Sequence, residues 1–373
     1  MKALFVHDRD DLHADIPGGV QLCTREFLEV VSAASGRVAL LEVPRASAPG
    51  TRLRRKLRLG SYLGYDPAGF GPLLRQAIAA EAPTHVFLNR SELVRLAPIV
   101  RQALPSAFIA VMSHGNQSGD DLYEIAGPQG RRTGLSRLAA TWQLGLDLVT
   151  ESWHRHRHLD GVCVMSQEEA VLERWLGARR TLVLPRLMAP APLDWQPVAG
   201  RAGYVGTLDH TPNRAALVSL CEELRHAAKP PELRLAGGPE AAGRELAARY
   251  PFITYVGRLP DAALAAEAAS WSVFLNPIFW LARGASMKLR QGLAWGLPVL
   301  TTEAGRRGYE WREDAVPTTP DLPAAFARRL LAVLASPEAV ATARTASLAA
   351  ARGAPSVTEL AGRLAAWSRD PSP

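Results

Sequence analysis

One lysine follows a loop glycine at the predicted start of a helix late in the chain. The stretch GASMKLRQGLAWGLPVL covers residues 284–300, with Lys288 four residues after Gly284. A glycine lets the backbone approach a ligand closely, and the free N–H groups of a helix N-terminus favour negative charge. An ammonium group there adds a point charge. The stretch therefore predicts an anion site formed by Lys288 and the amides of Ala285, Ser286 and the residues beside them.

A pair of glycines precedes the first long helix predicted in the chain. The loop after the first strand ends in Gly18 and Gly19, and the helix is predicted from Val20. Exposed amides at this helix start can also meet an anion, although a simple turn explains the glycines as well. Two separate anion-binding loops would fit a diphosphate.

Polar residues also follow a strand in the N-terminal half. His114 comes just after the strand predicted at 108–113, where it can hydrogen-bond a ligand, act at a reacting centre, or serve the structure alone. Asp120 and Asp121 can orient ligand hydroxyls, or they can cap a helix at 121–126.

A similar junction opens the C-terminal half. The strand at 202–206 ends in Gly206, Thr207 follows it, and Asn213 lies where the next helix begins. This junction is another helix start at the carboxyl end of a strand, although Asn213 can equally be an N-cap.

Short apolar strands alternate with helical stretches along the chain, which predicts an α/β protein with parallel sheets. The strands are nearly continuous apolar runs, as expected where helices cover both faces of a sheet. Ligands of such sheets bind at the carboxyl ends of the strands. The predicted strands are 3–7, 38–43, 85–89, 108–113, 162–166, 181–185, 202–206, 232–237, 252–257, 272–277 and 298–302.

A proline-rich segment at 188–201 divides this pattern into two halves. Prolines disfavour a helix or an inner strand, so the segment is predicted to be a linker. We expect two Rossmann-like domains, 1–187 and 202–353, that face each other across a cleft. Residues 354–373 are expected to form a helix and tail that can cross back to the N-terminal domain.

Length and composition indicate an ordinary folded protein of more than one domain. The chain has 373 residues, of which 47% are hydrophobic and 21% are charged. Cys23, Cys163 and Cys221 lie far apart and suggest neither disulfides nor a metal site, so a reducing cytoplasm is the expected location. The N-terminus does not form a signal peptide, and no apolar run reaches the roughly 18 residues that a membrane span needs.

A basic segment interrupts the N-terminal half. Its dense part, RLRRKLRLGSYLGY, interleaves leucines and tyrosines with cations that include Arg54, Arg55, Lys56 and Arg58. Such a segment can bind an anionic membrane and insert apolar side chains into it, or it can be a solvated loop. No nucleic-acid-binding motif accompanies it, so nucleic acid is not an expected partner.

Four segments of the C-terminal half resemble GT-B glycosyltransferases, in particular the family 4-like group called glycosyl transferases group 1. They are YVGTLDHTPNRAAL, LRLAGGP, YVGRLPDAALAAEAASWSVFLNP and GASMKLRQGLAWGLPVLTTEAGRRG, in this order. In the N-terminal half the resemblance rests on the Gly18-Gly19 loop, the strand before His114 and the segment CVMSQEEAVL.

The resemblance implies that the C-terminal domain holds a nucleotide-sugar donor and that Lys288 neutralises its diphosphate. Gly18 and Gly19 would approach the same diphosphate, His114 would face the donor sugar, and the N-terminal domain would receive the acceptor. No metal and no other cofactor is expected, because cationic side chains and helix dipoles stabilise the leaving diphosphate in this family.

Two positions depart from the family pattern. Gln291 stands where a glutamate usually accepts hydrogen bonds from the ribose, and a glutamine accepts them more weakly. Arg283 stands where an acid is frequent, and an arginine can reach a phosphate or disturb the sugar site.

The expected function is transfer of a sugar from a nucleotide-sugar donor to an acceptor hydroxyl, with retention of configuration. The basic segment suggests a glycan or lipid-linked acceptor of the cell envelope, used at the inner face of the membrane. Two alternatives are a sugar-nucleotide epimerase of the same fold, which needs no acceptor, and a non-catalytic GT-B-like binding subunit.

Overall fold

Two sheets organise the chain, each with its own helices. The computed structural model describes residues 1–13, 18–44, 49–57, 59, 61–65, 67–127, 132–280, 284–311 and 316–370. Contacts divide these residues into two units. The first unit contains Met1–Leu187, Gly284 and the described residues from Pro355, and the second contains those of Met188–Leu281 and Ala285–Ala354.

The sheet of the first unit is parallel throughout its described strands. These are β1 (Lys2–Asp8), β2 (Arg37–Val43), β3 (His85–Asn89), β4 (Phe108–Met112), β5 (Gly161–Val164) and β6 (Thr181–Val183). Their spatial order is β2-β1-β3-β4-β5-β6. Inner strands such as β4 and β5 are buried on both faces, which explains their continuous apolar sequence.

Helices connect these strands and surround the first core, in which Leu4, Val86 and Ile109 are buried. They are α1 (Gly19–Ala34), α2 (Pro49–Lys56), α3 (Pro67–Glu81), α4 (Ala97–Ala103), α5 (Gln117–Ala126), α6 (Gly134–His158) and α7 (Gln167–Trp175). Short 3-10 turns occupy Arg9–Asp11, Ser61–Tyr65 and Ser91–Leu96.

The second unit repeats the scheme around another parallel sheet. Its described strands are β7 (Val198–Val205), β8 (Glu232–Ala236), β9 (Ile253–Gly257), β10 (Trp271–Asn276), β11 (Val299–Thr302) and β12 (Thr318–Thr319). Their spatial order is β12-β11-β10-β7-β8-β9. The helices are α8 (Thr211–Leu224), α9 (Glu240–Arg249), α10 (Asp261–Ala268), α11 (Met287–Ala294), α12 (Glu303–Arg306), α13 (Pro323–Leu334) and α14 (Pro337–Arg352).

The last helix, α15 (Val357–Arg369), packs on α1 and so belongs to the first unit. Its Trp367 meets the ring of Phe108 edge-on, with 5.2 Å between centroids. The same indole lies where a side chain at Gly161 would project, which explains the glycine at the start of β5.

The predicted α/β class with two Rossmann-like domains is confirmed, and three local predictions need correction. β7 begins at Val198, so residues 198–201 belong to a strand and not to the linker. The basic segment is largely helical, since α2 and a 3-10 turn occupy much of it. Tyr62 and Tyr65, predicted as side chains that could enter a membrane, are each only 2% exposed.

Candidate functional site

Glycines end three neighbouring strands of the second unit. Gly206 follows β7, Gly237 follows β8 and Gly257 ends β9. Gly237 has φ 130°, and a side chain there would collide with the carbonyl oxygen of Gly206. The Gly237 N–H donates to the Gly257 oxygen at 2.9 Å. The carboxyl edge of this sheet is therefore a backbone surface that a ligand can approach closely. We call this edge, formed by Gly206, Gly237 and Gly257, the glycine edge.

Lys288 lies beside the glycine edge at Gly206. It is the second residue of α11, and its Nζ donates to Asn213 Oδ1 at 2.8 Å. The ammonium also lies 5.6 Å from the ring centroid of Tyr204. A Cβ at Gly206 would come within 3.3 Å of Lys288 Cδ, so the glycine leaves room for the lysine stem.

Burial lowers the pKa of Lys288 to about 8. Among the described residues, no carboxylate forms an ion pair with this ammonium, and its recorded partners are the Asn213 amide and the Tyr204 ring. A half-buried cation with neutral neighbours gains stabilisation when an anion arrives, because the anion replaces lost hydration.

Asn213 orients its oxygen toward the lysine. Its Nδ2 donates to the carbonyl of Thr207 at 2.9 Å, which leaves Oδ1 to accept from Lys288. The N-cap of α8 is His210, so the alternative that Asn213 caps this helix is wrong. Thr207 itself is exposed and contributes its backbone oxygen.

Ser286 fixes the start of α11. It is the N-cap residue, and its Oγ accepts from the Leu289 N–H. The same hydroxyl donates to Oδ1 of the buried Asn276 at 2.7 Å, and Tyr309 donates to the Ser286 carbonyl. Its hydroxyl therefore positions the helix that carries Lys288. Donor binding by Ser286 stays a prediction.

The other residues predicted to surround Lys288 lie in different environments. Gly284 has φ 72°, and its N–H donates to Glu169 Oε1 at 2.7 Å within the first unit, so this amide already has a partner. Ala285 is partly buried before the cap. Gln291 is one helical turn after Lys288 and so lies on the same face of α11. Arg283 lies outside the described residues.

In the first unit, His114 follows β4 and belongs to a polar group at the carboxyl ends of the strands. Its Nε2 is 3.0 Å from Asn89 Oδ1, and Asn89 Nδ2 donates to Asp11 Oδ2 and to Thr24 Oγ1, each at 2.9 Å. Burial raises the pKa of Asp11, although Arg90 at 3.0 Å opposes that rise. His114 is therefore oriented by a buried side chain.

Gly18 and Gly19 lie at the start of α1, where both are exposed. Gly19 is the first helical residue and Gly18 is the N-cap. The Gly18 N–H donates to Gln21 Oε1 at 3.0 Å, and Gln21 Nε2 donates to the Asp10 carbonyl at 3.1 Å. One of the amides predicted to meet an anion is thus already bonded to a side chain.

Asp120 and Asp121 lie within α5, with Asp120 in its first turn, and neither is the N-cap. The N-cap of this helix is Asn116, so the prediction of a helix at 121–126 capped by these residues is wrong. Asp121 Oδ1 accepts from Gln117 Nε2 at 3.2 Å, four residues earlier.

The basic residues predicted at a membrane are partly described. Arg54 and Lys56 are exposed on α2, and Arg55 belongs to that helix. Arg58 lies outside the described residues.

A buried ionic network joins α6 and α7, and no local sequence pattern predicted it. Arg155 is fully buried, pairs with Glu173 through two nitrogens and donates to Asn116 Oδ1 at 2.5 Å. Glu151, whose pKa burial raises, accepts from the Ser118 hydroxyl at 2.6 Å. The network fixes the segment after His114, because Asn116 and Ser118 lie just beyond it.

The described residues include no cluster of three or more His, Cys, Asp or Glu side chains that could hold a metal ion. None of the helices they form is long and apolar enough to cross a bilayer.

Two parallel sheets, each enclosed by helices and with polar side chains at the strand ends, characterise GT-B glycosyltransferases. Residues 199–336 match the family described as "Glycosyl transferases group 1". This range contains the glycine edge, Asn213 and Lys288. Almost all of the match lies within the second unit, and it confirms the resemblance inferred from the sequence.

Solved structures of similar fold cover nearly the whole chain. Sucrose-phosphate synthase from Thermosynechococcus elongatus has a TM-score of 0.70 at 18% identity, over 98% of each chain. HepE from Anabaena, in complex with UDP and glucose, has a TM-score of 0.65 at 14% identity, over 98% of this chain and 99% of that chain. The lipopolysaccharide outer core galactosyltransferase WaaB, in its apo form, has a TM-score of 0.62 at 13% identity, over 99% of this chain and 100% of that chain. These TM-scores show that the chain has the GT-B fold. No curated protein sequence matches significantly.

Proposed function

We propose that this protein transfers a sugar from a nucleotide-sugar donor to an acceptor hydroxyl. The observation that carries the proposal is the half-buried Lys288 ammonium, which lies at the start of α11 beside Gly206 without a carboxylate partner among the described residues. Sugar transfer from a nucleotide releases a diphosphate, and this arrangement suits its charge.

Each part of the second-unit site has a role in this proposal. The donor diphosphate lies at the N-terminus of α11, where helix amides and the Lys288 ammonium stabilise the charge that grows as the glycosidic bond breaks. Gly206 lets the phosphates approach the backbone, and Asn213 holds the lysine in place. Gln291 lies on the same face of α11 as Lys288, and it is proposed to accept a hydrogen bond from the ribose of the nucleotide.

The first unit is proposed to hold the acceptor and to contribute His114 to the donor sugar. The Asn89 Oδ1 accepts from the Nε2–H of this imidazole, and so fixes the ring and its tautomer. A fixed imidazole can hydrogen-bond a sugar hydroxyl without reorganising during the reaction. Gly19 and the exposed start of α1 would contribute further backbone donors.

The reaction is proposed to retain the anomeric configuration and to need no metal ion, with charge neutralised by Lys288 and helix dipoles. A glycan or lipid-linked acceptor of the cell envelope, reached from the inner membrane face, is proposed from two supports. One is the cationic helix α2. The other is the structural similarity to WaaB, which is described as a lipopolysaccharide galactosyltransferase.

The decisive experiment combines a nucleotide panel with substitution of the lysine. Thermal shifts are measured with UDP, GDP, ADP and their sugar conjugates, and we expect a clear shift with one of these bases. Ligand at 100 times its Kd should stabilise the fold by about 2.7 kcal/mol. Lys288→Met should strongly reduce that shift while the variant stays folded, because the diphosphate loses its cation.

Lys229→Met is the matched control, since Lys229 is an exposed lysine of the same unit. An unchanged shift in Lys288→Met would contradict the phosphate role. Incubation with the identified donor separates the enzymatic alternatives. Nucleoside diphosphate released with acceptor supports transfer, whereas an epimerised donor without release would show the epimerase. No shift with any nucleotide would favour a binding subunit.

A further inference from the structure

Helix α6 exposes a row of large apolar side chains. Leu135, Leu138, Trp142, Val149 and Trp153 are 85%, 67%, 62%, 66% and 51% exposed, and we call these five residues the α6 ridge. Their spacings of three, four and seven residues place them on one face of the helix. A contiguous apolar face of this kind marks an interaction surface.

Helix α6, all of whose residues are described, has exposed cations but no exposed carboxylate. Its acidic residues, Asp147 and Glu151, are fully buried, whereas Arg137 and Arg157 are exposed. The Arg157 guanidinium stacks 3.8 Å from the centroid of the Trp153 ring. The exposed surface of α6 is therefore apolar, aromatic and cationic, and Arg157 is the cation that lies against the ridge.

Two grooves flank the C-terminal part of the ridge. One, of about 450 Å³, lies between α6 and α7 and is lined by residues that include Trp153 and Trp175. The other, of about 270 Å³, is lined by Leu59, Leu63 and Trp153 among others. Trp153 thus stands between two partly apolar depressions.

The second groove links the ridge to the region of α2. This helix has no acidic residue, and it exposes Leu53 together with Arg54 and Lys56. Leu57 and Leu59, just after the helix, are 60% and 45% exposed. The region therefore repeats the combination of exposed leucines and cations found on α6.

We propose that the α6 ridge and α2 together bind the surface of an anionic lipid bilayer. Tryptophans favour the interface between headgroups and acyl chains, leucines enter the acyl region, and flanking Arg and Lys contact anionic headgroups. A second copy of this chain fits less well, because two cationic surfaces would repel each other. The inference deepens the proposed function and rests on it for the acceptor, while its test needs no sugar transfer.

The test measures binding of the full chain to vesicles of phosphatidylcholine alone and of phosphatidylcholine mixed with phosphatidylglycerol. We expect the wild type to float with the mixed vesicles only. Trp142→Ser/Trp153→Ser should weaken that binding about tenfold or more, because interfacial affinity scales with buried apolar area. Leu322→Ser, at a leucine 61% exposed in the second unit, is the control and should bind as the wild type does.

Charge reversal tests the cationic part. Arg137→Glu/Arg157→Glu should also reduce binding to the mixed vesicles, whereas Arg328→Glu, on the exposed surface of α13, should not. Circular dichroism and the nucleotide shift verify that each variant is folded. Retention of the nucleotide shift after loss of vesicle binding separates this inference from the donor site.

Three results would overturn the proposal. They are wild-type protein that ignores the mixed vesicles, ridge variants that bind them as well as the wild type, and a wild-type dimer in solution that Trp142→Ser/Trp153→Ser dissociates. The last result would assign the ridge to a second copy of the chain.

Discussion

Lys288 has lost hydration inside the second unit and has gained an amide oxygen and an aromatic ring in exchange. Burial lowers its pKa from 10.5 to about 8, so the charged form is strained before a ligand arrives. A group whose positive charge is penalised when folded reduces stability at neutral pH. An anion that binds beside the Lys288 ammonium relieves this penalty.

This pKa predicts a pH dependence of stability with a definite sign. Between about 8 and 10.5 the unfolded chain binds more protons at Lys288 than the folded chain, so its contribution to stability rises with pH across this window. Below pH 8 the penalty is fully present. Lys288→Met should therefore stabilise the ligand-free protein below pH 8, by on the order of 1–3 kcal/mol, and by less above it. Urea unfolding at pH 7 and pH 10 measures the difference.

Nucleotide binding should show the opposite trend. A diphosphate needs the ammonium form, so affinity should fall about tenfold between pH 7 and pH 9 in the wild type. The residual affinity of Lys288→Met should be flat over this range. A wild-type affinity that does not change with pH would mean that Lys288 is not the group that meets the phosphates.

At the scale of single elements, α11 is placed by its first residues. Ser286 caps the helix and at the same time satisfies the buried Asn276, which also donates to Thr301 Oγ1 on β11. The direction of α11, and with it the position of Lys288, is thus tied to the ends of β10 and β11. Loss of the Ser286 cap should therefore displace α11 and weaken the contact of Lys288 with a bound nucleotide.

Ser286→Ala tests this coupling. It removes a cap and leaves Asn276 Oδ1 without its donor, so we expect a loss of about 1–3 kcal/mol and a weaker nucleotide affinity. Ser356→Ala is the matched control, because Ser356 caps α15 in an exposed capping box. It should lower stability by about 1 kcal/mol and leave nucleotide affinity unchanged. Equal effects of both variants on affinity would contradict a positioning role. Ser286→Thr keeps the hydroxyl, so it should bind the nucleotide as the wild type does.

The parts of the candidate site that depend on a local pattern could be predicted from the sequence. Lys288 at a helix start and the apolar strands are encoded within a few neighbouring residues, so they could be predicted. The contact between Lys288 and Asn213 spans 75 positions, and the pair of Arg155 and Glu173 depends on how α6 packs on α7. Such contacts arise from tertiary packing, and no local pattern announces them.

At the scale of the whole molecule, the chain leaves the first unit after Leu187 and returns to it at Pro355. The returning helix α15 contributes Trp367, which packs on Phe108 and receives the Arg180 guanidinium 5.2 Å from its ring centroid. The first unit is therefore completed by residues that follow the second.

Trp367→Ala should destabilise the first unit by about 2–4 kcal/mol, since it removes a partly buried aromatic side chain at a packed contact. Because two units need not unfold together, calorimetry should show the first unit's transition lowered and the second unit's unchanged. Trp142→Ala, at an exposed tryptophan of the same unit, should change stability by less than about 0.5 kcal/mol. A uniform shift of the entire profile would argue against this assignment.

The late return of α15 also has a consequence during synthesis. All of the second unit leaves the ribosome before α15 does, so the second unit can reach its native state while the first still lacks a helix. The surface of α1 that α15 covers stays open until α15 emerges. A nascent chain halted before Pro355 should thus be the species most in need of a chaperone.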